Sequence, residues 1–153
     1  PELTPPGAIR RLVGAGLRVA AGHSEATGAQ MATAADEGLT GVTHLFNAMS
    51  QLTPREPGIV GAAMANARLM AGIIADGLHI APQSLQAAFR AMGRERLMLV
   101  TDAMPTAGGA SSSFNLQGRR ITLAKGRLTD AAGTLAGAHL TMDAAVRNAV
   151  ALM

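Results

Sequence analysis

Four side chains that can bind a metal ion or move a proton each follow a short apolar run of the sequence. They are His23, His44, His79 and Asp102, and they include three of the four histidines in the chain. Imidazole is a good ligand for zinc and similar divalent ions, and a hydrolytic metal site also needs a carboxylate that takes and returns a proton. The pattern predicts a divalent metal ion on His23 and His44, with Asp102 as the general base. Zinc fits best, although two histidines do not separate it from iron or another divalent ion.

Each of these residues also has an ordinary interpretation. A single histidine after a strand is more often a solvated or capping residue than a metal ligand, and Asp102 could cap the loop that follows it. The repetition favours the chemical interpretation, since the same position relative to an apolar run recurs four times along the chain.

The apolar runs are predicted as strands, and the segments between them as helices. The predicted strands are residues 17–21, 40–45, 70–75 and 97–100. The predicted helices are residues 8–15, 24–37 with Ser24 as the N-cap, 60–67 and 82–92. Continuous apolar strands that alternate with helices indicate a parallel sheet, and the carboxyl ends of parallel strands lie at one edge. The four side chains are therefore expected to share one pocket.

The predicted fold class is α/β, and the predicted architecture is a partial (β/α)₈ TIM-type barrel of about four βα units. Right-handed crossovers leave an open doubly wound sheet as the other arrangement. A closed barrel needs eight strands and typically ~250 residues, so the 153 residues are expected to form one partial barrel domain without the N-terminal half. A β-hairpin around Lys125-Gly126 is predicted as an insertion over about residues 114–135, and a last helix over residues 140–152.

The composition excludes several other classes of protein. The chain has no cysteine, which rules out a disulfide scaffold and thiolate metal sites. Its net charge of +3 comes from scattered basic residues, and only 2% of its residues are aromatic, so no nucleic-acid partner is expected. No stretch approaches the ~20 apolar residues of a membrane span, and the first residues lack a signal-peptide layout. We expect a cytoplasmic protein without a membrane partner, although a longer parent chain could carry a leader.

Five motifs stand in order along the chain and together resemble one known family. They are Gly22-His23-Ser24, Thr43-His44-Leu45-Phe46-Asn47-Ala48-Met49, Arg55-Glu56-Pro57-Gly58, Gly72-Ile73-Ile74-Ala75-Asp76-Gly77-Leu78-His79 and Leu99-Val100-Thr101-Asp102-Ala103, and the likeness ends with Gly137 and Leu140-Thr141-Met142. This series resembles the N-acetylglucosamine-6-phosphate deacetylase family of the amidohydrolase superfamily, in the C-terminal portion of its catalytic barrel. Any one of the motifs alone would be weak.

The resemblance implies a role for each matched residue. His23 and His44 would be metal ligands, and Asp102 would activate the attacking water and then protonate the departing amine. The residues implied to hold the sugar phosphate are Asn47, Ala48 through its backbone, Arg55 and His79. The residues implied to line the pocket near the acetyl group are Leu140, Thr141 and Met142. The implied reaction of the full-length enzyme, expected to be a homodimer, converts N-acetylglucosamine 6-phosphate to glucosamine 6-phosphate and acetate.

The chain also departs from the family pattern. The family's glutamate metal ligand, in a His-Leu-Glu-Gly-Pro type segment, and the histidine that polarises the substrate carbonyl lie upstream and have no counterpart here, and the family's final barrel units and β-sandwich are missing. Pro1-Glu2 resembles a later Ala-Pro-Glu stretch, so Glu2 is not assigned to the metal. His139 stands where the family has small hydroxyl residues, and it is expected to be solvated at a helix start. With two ligands only, this chain alone is expected to be inactive.

Two other functions stay open at this point. A related amidohydrolase that acts on another amide would leave Arg55 and His79 without a phosphate to bind. A non-catalytic half-barrel assembly module would explain the unpaired sheet edges, but not the series of motifs. Whether the whole site holds one metal ion or two depends on residues outside this chain.

Overall fold

The first hundred residues alternate between helices and strands. The computed structural model, which describes residues 1–152, joins the first four strands into a parallel sheet in the order β1-β2-β3-β4. The strands are β1 (Ala20–Ala21), β2 (Gly41–Val42), β3 (Met70–Ile73) and β4 (Leu97–Leu99). The helices are α1 (Ala8–Gly14), α2 (Gly28–Asp36), α3 (Gly58–Ala65) and α4 (Pro82–Met92). The predicted α/β class with a parallel sheet is confirmed.

The parallel strands are shorter than predicted, because the chain turns out of each strand soon after it begins to pair. His44, predicted at the end of the second strand, has a left-handed backbone with φ 25°, which is incompatible with a continuing strand. Single backbone hydrogen bonds still extend the ladder beyond this point. The N–H of Leu45 donates to the carbonyl of Gly72 at 2.8 Å, and that of Val100 donates to Ile73 at 3.0 Å.

The two faces of the parallel sheet have different surroundings. Side chains alternate across a strand, and one set belongs to the hydrophobic core beneath the helices: Ala21, Val42, Ala71, Ile73, Leu97 and Leu99. The alternate set lines an open concavity of about 610 Å³: Ala20, Thr43, Met70, Gly72, Met98 and Val100. Met70 and Met98 are 40% and 44% exposed there. Within residues 1–152, helices therefore cover one face of the sheet and leave the other face open.

Local capping signals decide where the helices begin. The prediction that Ser24 caps α2 is wrong, because Thr27 and Gln30 form a capping box further along the chain. The Thr27 hydroxyl accepts from the Gln30 N–H at 3.2 Å, and the Gln30 side chain accepts from the Thr27 N–H at 2.8 Å. Helix α4 has the predicted bounds, with Pro82 in its first turn and Gly93 directly after it.

One arginine joins the ends of two helices. The guanidinium of Arg96 donates to carbonyls near the carboxyl ends of α3 and α4, at distances from 3.0 to 3.2 Å. Its acceptors are Ala63, Met64, Asn66, Leu69 and Ala91. Carbonyls at a helix end lack intrahelical partners and carry partial negative charge, so a cation there satisfies and stabilises both ends.

The predicted insertion is a larger sheet than a single hairpin. Strands β5 (Ser113–Leu116), β6 (Arg119–Ala124), β7 (Arg127–Thr129) and β8 (Leu135–Ala138) form an antiparallel sheet in sequential order. The predicted turn at Lys125-Gly126 is confirmed, with φ values of 51° and 79° that suit a two-residue hairpin. A second tight turn at Gln117-Gly118 and the strands β5 and β8 were not predicted, because their polar and small residues lack a strand-like pattern.

The chain ends in a helix that packs against the parallel sheet. Helix α5 (Met142–Leu152) begins slightly later than predicted, and the Asn148 side chain donates to the carbonyl of Ala75 beyond β3 at 2.8 Å. None of the helices in residues 1–152 has the length and apolar character that a membrane crossing requires.

Candidate active site

The four strand-end side chains converge on one cavity, as the parallel strand order predicts. His23, His44, His79 and Asp102 all line a cavity of about 360 Å³ at the carboxyl edge of the parallel sheet. Asn47 and Ala48, from the loop after β2, lie in the same lining. His23, His44 and Asp102 also border the larger concavity of the open sheet face, so the two spaces adjoin.

The imidazole rings of His23 and His44 are neighbours in the cavity lining. Their ring centroids are 4.9 Å apart, and the ring planes are inclined at 77°. The Nδ1 of His44 lies 3.1 Å from the carbonyl of Asn47. If Nδ1–H donates to that carbonyl, Nε2, which lies 3.4 Å from the Thr43 hydroxyl oxygen, is the ring nitrogen left to accept a hydrogen bond or to bind a metal. In residues 1–152 no group of three or more His, Cys, Asp or Glu side chains is placed to hold a metal ion.

The backbone is left-handed at several cavity residues. The φ values are 47° at His23, 25° at His44, 49° at Ala48 and 49° at Asp102. A non-glycine residue pays a steric cost there, which Asp, Asn and His tolerate better than most. Such conformations persist only where the surroundings hold them, and they cluster at functional sites.

His79 is held by a carboxylate from its own loop. Its Nδ1 lies 2.6 Å from Asp76 Oδ2, while Asp76 Oδ1 accepts from the N–H groups of Leu78 and His79, each at 2.8 Å. The side chains of His79 and Asp76 are 7% and 9% exposed. Burial raises the pKa of Asp76, but the hydrogen bonds from the His79 ring and the two backbone N–H groups outweigh it and lower that pKa overall. With Nδ1 engaged, Nε2 of His79 is left to meet a ligand in the cavity.

The antiparallel sheet contributes a wall of the cavity that sequence reasoning missed. Thr134, Leu135 and Gly137 line it beside the strand-end residues. The next residue, Ala138, donates its N–H to the carbonyl of Asp102 at 2.8 Å. The signal for this contact is Gly137, where φ is 70° and a Cβ would lie 3.1 Å from the Asp102 carbonyl and 2.8 Å from Met104 Sδ.

The chain that forms this cavity is similar in sequence to proteins named as deacetylases. No protein-family model matches the sequence. It is 46% identical over 149 residues to the N-acetylgalactosamine-6-phosphate deacetylase of Shewanella sp. (strain ANA-3), and the aligned region covers 97% of this chain and 38% of that protein. It is 38% identical over 143 residues to the N-acetylglucosamine-6-phosphate deacetylase of Bacillus subtilis (strain 168), and the aligned region covers 92% of this chain and 35% of that protein. Over nearly its whole length the chain is therefore similar to deacetylases of phosphorylated amino sugars.

Solved structures of the deacetylase family agree with the sequence relatives. The N-acetylglucosamine-6-phosphate deacetylase from Pasteurella multocida superimposes with a TM-score of 0.92 at 37% identity, over 97% of this chain and 39% of that chain. A mutant of the Mycobacterium smegmatis enzyme in complex with N-acetyl-D-glucosamine 6-phosphate superimposes with a TM-score of 0.90 at 40% identity, over 95% of this chain and 38% of that chain. This chain therefore spans less than two fifths of the length of these family members.

Several residues expected from the family resemblance lie away from the cavity. Arg55 is exposed on the loop before α3, and the cavity lining within residues 1–152 does not include it. Leu140 is 4% exposed and packs with Ile74 and Ala145, because the chain entering α5 turns this side chain into the core. Thr141 and Met142, at the start of α5, are exposed and outside the same lining.

His139, the residue that departs from the family pattern, is more than a solvated helix-start residue. It is exposed as predicted, yet its Nδ1 lies 3.1 Å from the hydroxyl of Thr106. Thr106 is only 1% exposed and belongs to the loop that follows Asp102. The pair joins that loop to the end of β8.

Proposed function

We propose that the whole protein to which this chain belongs hydrolyses the N-acetyl amide of N-acetylglucosamine 6-phosphate, giving glucosamine 6-phosphate and acetate. The observation that carries the proposal is the convergence of His23, His44, His79 and Asp102 on one cavity. It stands beside identities of 38% and 46% to proteins named as deacetylases of phosphorylated amino sugars. A protein with this substrate and these relatives would act in the cytoplasm, and we propose a homodimer.

The parallel sheet is proposed to be part of a (β/α)₈ barrel. Its strand order, its covered outer face and its open concave face are what a segment of such a barrel would have. The strands missing from closure would come from outside these residues. Residues 1–153 would form part of that barrel domain, with the antiparallel sheet as an insertion after its last strand here.

His23 and His44 are proposed to hold a divalent metal ion, with zinc as the first choice. The orientation of the His44 ring by the Asn47 carbonyl supports this role. A metal ion there would supply Lewis-acid chemistry to amide hydrolysis. Two histidines are half of a tetrahedral ligand set, so the remaining ligands would come from outside this chain, and the chain alone would be inactive.

Asp102 is proposed as the general base and then the general acid. Its carboxylate would accept a proton from the water whose oxygen attacks the acetyl carbonyl carbon. When the carbon–nitrogen bond breaks, the same group would return that proton to the departing amine nitrogen. The products are then the free amine and acetate.

Substrate binding is proposed to involve the neighbouring loops. Since Asp76 engages Nδ1 of His79, Nε2 would face the substrate. It would accept from a substrate hydroxyl when the ring is neutral, and it would donate to a phosphate oxygen when both ring nitrogens carry a proton. Asn47 and the N–H of Ala48 would bind the sugar phosphate. The Ala48 carbonyl accepts from the Ser24 N–H at 3.2 Å, so the N–H is the backbone group of Ala48 proposed to face the ligand. Arg55 keeps a phosphate role on the strength of its motif alone. Leu135, rather than the triplet from Leu140 to Met142, is proposed to border the acetyl group.

A second substrate is favoured by the relatives themselves. The two relatives at 46% and 41% identity are named N-acetylgalactosamine-6-phosphate deacetylases, whereas the Bacillus subtilis relative at 38% is named for the glucosamine epimer. The two sugars differ in the configuration of one hydroxyl group. Comparing kcat/KM of the whole protein on both phosphorylated sugars decides between them.

The proposal is tested by acetate release and metal content of the whole protein, measured beside this chain alone. We expect turnover and bound metal in the whole protein and neither in the chain. The Asp102→Asn variant should lower kcat by about 10²- to 10⁴-fold with KM little changed. A whole protein that releases no acetate from either phosphorylated sugar would favour another amide substrate or an assembly role. An unchanged kcat in the Asp102→Asn variant would remove Asp102 from the mechanism.

A further inference from the structure

Glu2 contacts the loop that follows His23 although it lies outside the cavity lining described above. Its Oε2 accepts a hydrogen bond from the Ser24 hydroxyl, and its Oε1 accepts from the N–H of Glu25 at 2.9 Å. The Ser24 hydroxyl oxygen also accepts from the N–H of Ala26 at 3.3 Å. Ser24 is 6% exposed, so the Glu2 carboxylate fixes a buried residue directly beside His23.

Ser24 connects this loop to the second loop of the cavity. Its N–H donates to the carbonyl of Ala48 at 3.2 Å, and its carbonyl accepts from the N–H of Ser50 at 3.1 Å. These bonds form a parallel bridge between Ser24 and Met49. All three polar groups of Ser24 are thus engaged, two with the loop that carries Ala48 and one with Glu2. A restraint applied by Glu2 therefore reaches both loops.

The loop at His23 needs such a restraint. The backbone of His23 is left-handed, with φ 47°, and a strained conformation persists only where its surroundings over-determine it. The Ser24 hydroxyl, followed by the backbone N–H of Glu25, lowers the pKa of Glu2, so the carboxylate is ionised at neutral pH. Hydrogen bonds to an ionised acceptor are stronger than those to a neutral one.

We propose that Glu2 is a positioning residue for the metal-binding cavity: through Ser24 its carboxylate holds the His23 loop and the Asn47–Ala48 loop in register with each other. The inference rests on the proposed function only in taking His23 as a metal ligand. Outer contacts of this kind orient the groups that bind the metal, and their removal typically lowers metal affinity by about 10- to 100-fold.

The test uses the whole protein and the variants Glu2→Ala, Glu2→Gln and Ser24→Ala. The control is Glu37→Ala, because the Glu37 carboxylate also accepts backbone N–H groups, from Gly7 at 3.0 Å and Arg10 at 3.4 Å, but holds helix α1 instead of the cavity. Zinc affinity is measured by competition with a chelator. Hydrogen exchange of the amides of residues 22–26 and 47–50 is measured separately on the metal-free proteins.

We expect Glu2→Ala to weaken zinc binding by about 10- to 100-fold and to speed amide exchange in both loops. Glu2→Gln should recover only part of the affinity, because the amide keeps one neutral acceptor and can donate to the Ser24 oxygen but lacks the ionised acceptor. Ser24→Ala should fall between the two, and it tests the same contact if Glu2→Ala does not fold. Glu37→Ala should leave zinc affinity within about twofold of the wild type, since its contacts do not reach the loops.

Three results would overturn the inference. The first is wild-type zinc affinity in Glu2→Ala, which leaves the proposed function intact. The second is an equal loss of affinity in Glu37→Ala, which points to general destabilisation. The third is unchanged exchange in both loops. A wild-type protein that binds no zinc contradicts the proposed metal site instead, and the exchange measurement then decides the positioning role.

Discussion

At the scale of single residues, the pairing of Asp76 with His79 sets which ring nitrogen of the histidine faces the cavity. One carboxylate accepts from the ring and from two backbone N–H groups. The same atoms thus close the tight turn after β3 and orient a side chain of the candidate site. A change at Asp76 should therefore alter both folding and ligand binding.

Asp76→Asn is expected to destabilise the fold in a way that depends on pH. The pKa of Asp76 is lowered below its ordinary 3.8 in the folded protein. Its stabilising contribution is therefore fully present above the unfolded pKa and is lost as pH falls through the folded pKa. We expect a loss of about 1–3 kcal/mol in the free energy of unfolding at pH 7. Urea unfolding at a series of pH values should show the difference from wild type shrinking on the acid side of the ordinary pKa.

The matched control for that measurement is Asp36→Asn. Asp36 is 71% exposed and pairs with Arg68 at the surface, and such a pair contributes little to stability. If the difference in free energy of unfolding between Asp76→Asn and wild type stays constant from neutral to acid pH, the explanation based on the Asp76 charge is contradicted.

At the scale of elements, β8 is the strand that connects the antiparallel sheet to the site. The N–H of Ala138 donates to Asp102, and the carbonyl of Ala138 accepts from Met104 at 3.0 Å. Gly137 lies against Met104 with a left-handed backbone. The insertion thus holds the backbone of the candidate base.

Gly137→Ala is expected to lower both stability and turnover. An added Cβ meets the Met104 side chain and sits on a backbone with φ 70°, which together should cost about 2 kcal/mol or more. Combining it with Met104→Ala should relieve the clash and not the backbone strain, so recovery should be partial. Urea unfolding and kcat of the whole protein provide the measurements. Wild-type values for Gly137→Ala would mean that β8 does not hold this loop.

Arg96 provides a second prediction about the elements. Arg96→Ala removes a guanidinium that donates to five carbonyls, so we expect a loss of about 2–3 kcal/mol in the free energy of unfolding. Arg96→Lys should recover only part of this, because an ammonium lacks the planar fork. The exposed neighbour Arg94 is the control, and Arg94→Ala should stay within about 0.5 kcal/mol of wild type. Equal losses in the two alanine variants would exclude the capping role.

The elements also show how far the sequence could predict the site. Apolar runs and helix signals predicted that His23, His44, His79 and Asp102 share an edge, because parallel strands place their carboxyl ends together. The wall from β8 and the contact of Glu2 with Ser24 could not be predicted in this way. Both depend on contacts between segments that are distant in sequence, and the local pattern of apolar residues does not predict such contacts. Ser24 was predicted from its residue type to cap helix α2, but in the structure it links two loops.

At the scale of the whole molecule, the open face of the parallel sheet distinguishes this chain from a closed barrel. Met70 and Met98 are exposed on that face, and in residues 1–152 β1 and β4 are the outer strands of the sheet. An apolar face between two unpaired edges favours association with other chains.

This chain alone is therefore expected to self-associate in solution. Sedimentation velocity over a concentration series should show species larger than a monomer, and replacing both Met70 and Met98 by lysine should shift the distribution toward the monomer. Val150→Lys is the control, because Val150 is 84% exposed on helix α5. A monomeric wild-type chain throughout the series would show that the open face does not drive association.

The left-handed backbone at His23, His44 and Asp102 sets stability against chemistry at the candidate site. Each position would be more stable with glycine, by about 1 kcal/mol. Substituting glycine at these positions would remove that cost, and with it the imidazoles and the carboxylate of the candidate site. Histidine and aspartate are among the residue types that tolerate this backbone best, so the chain combines reactive side chains with a small loss of stability at these positions.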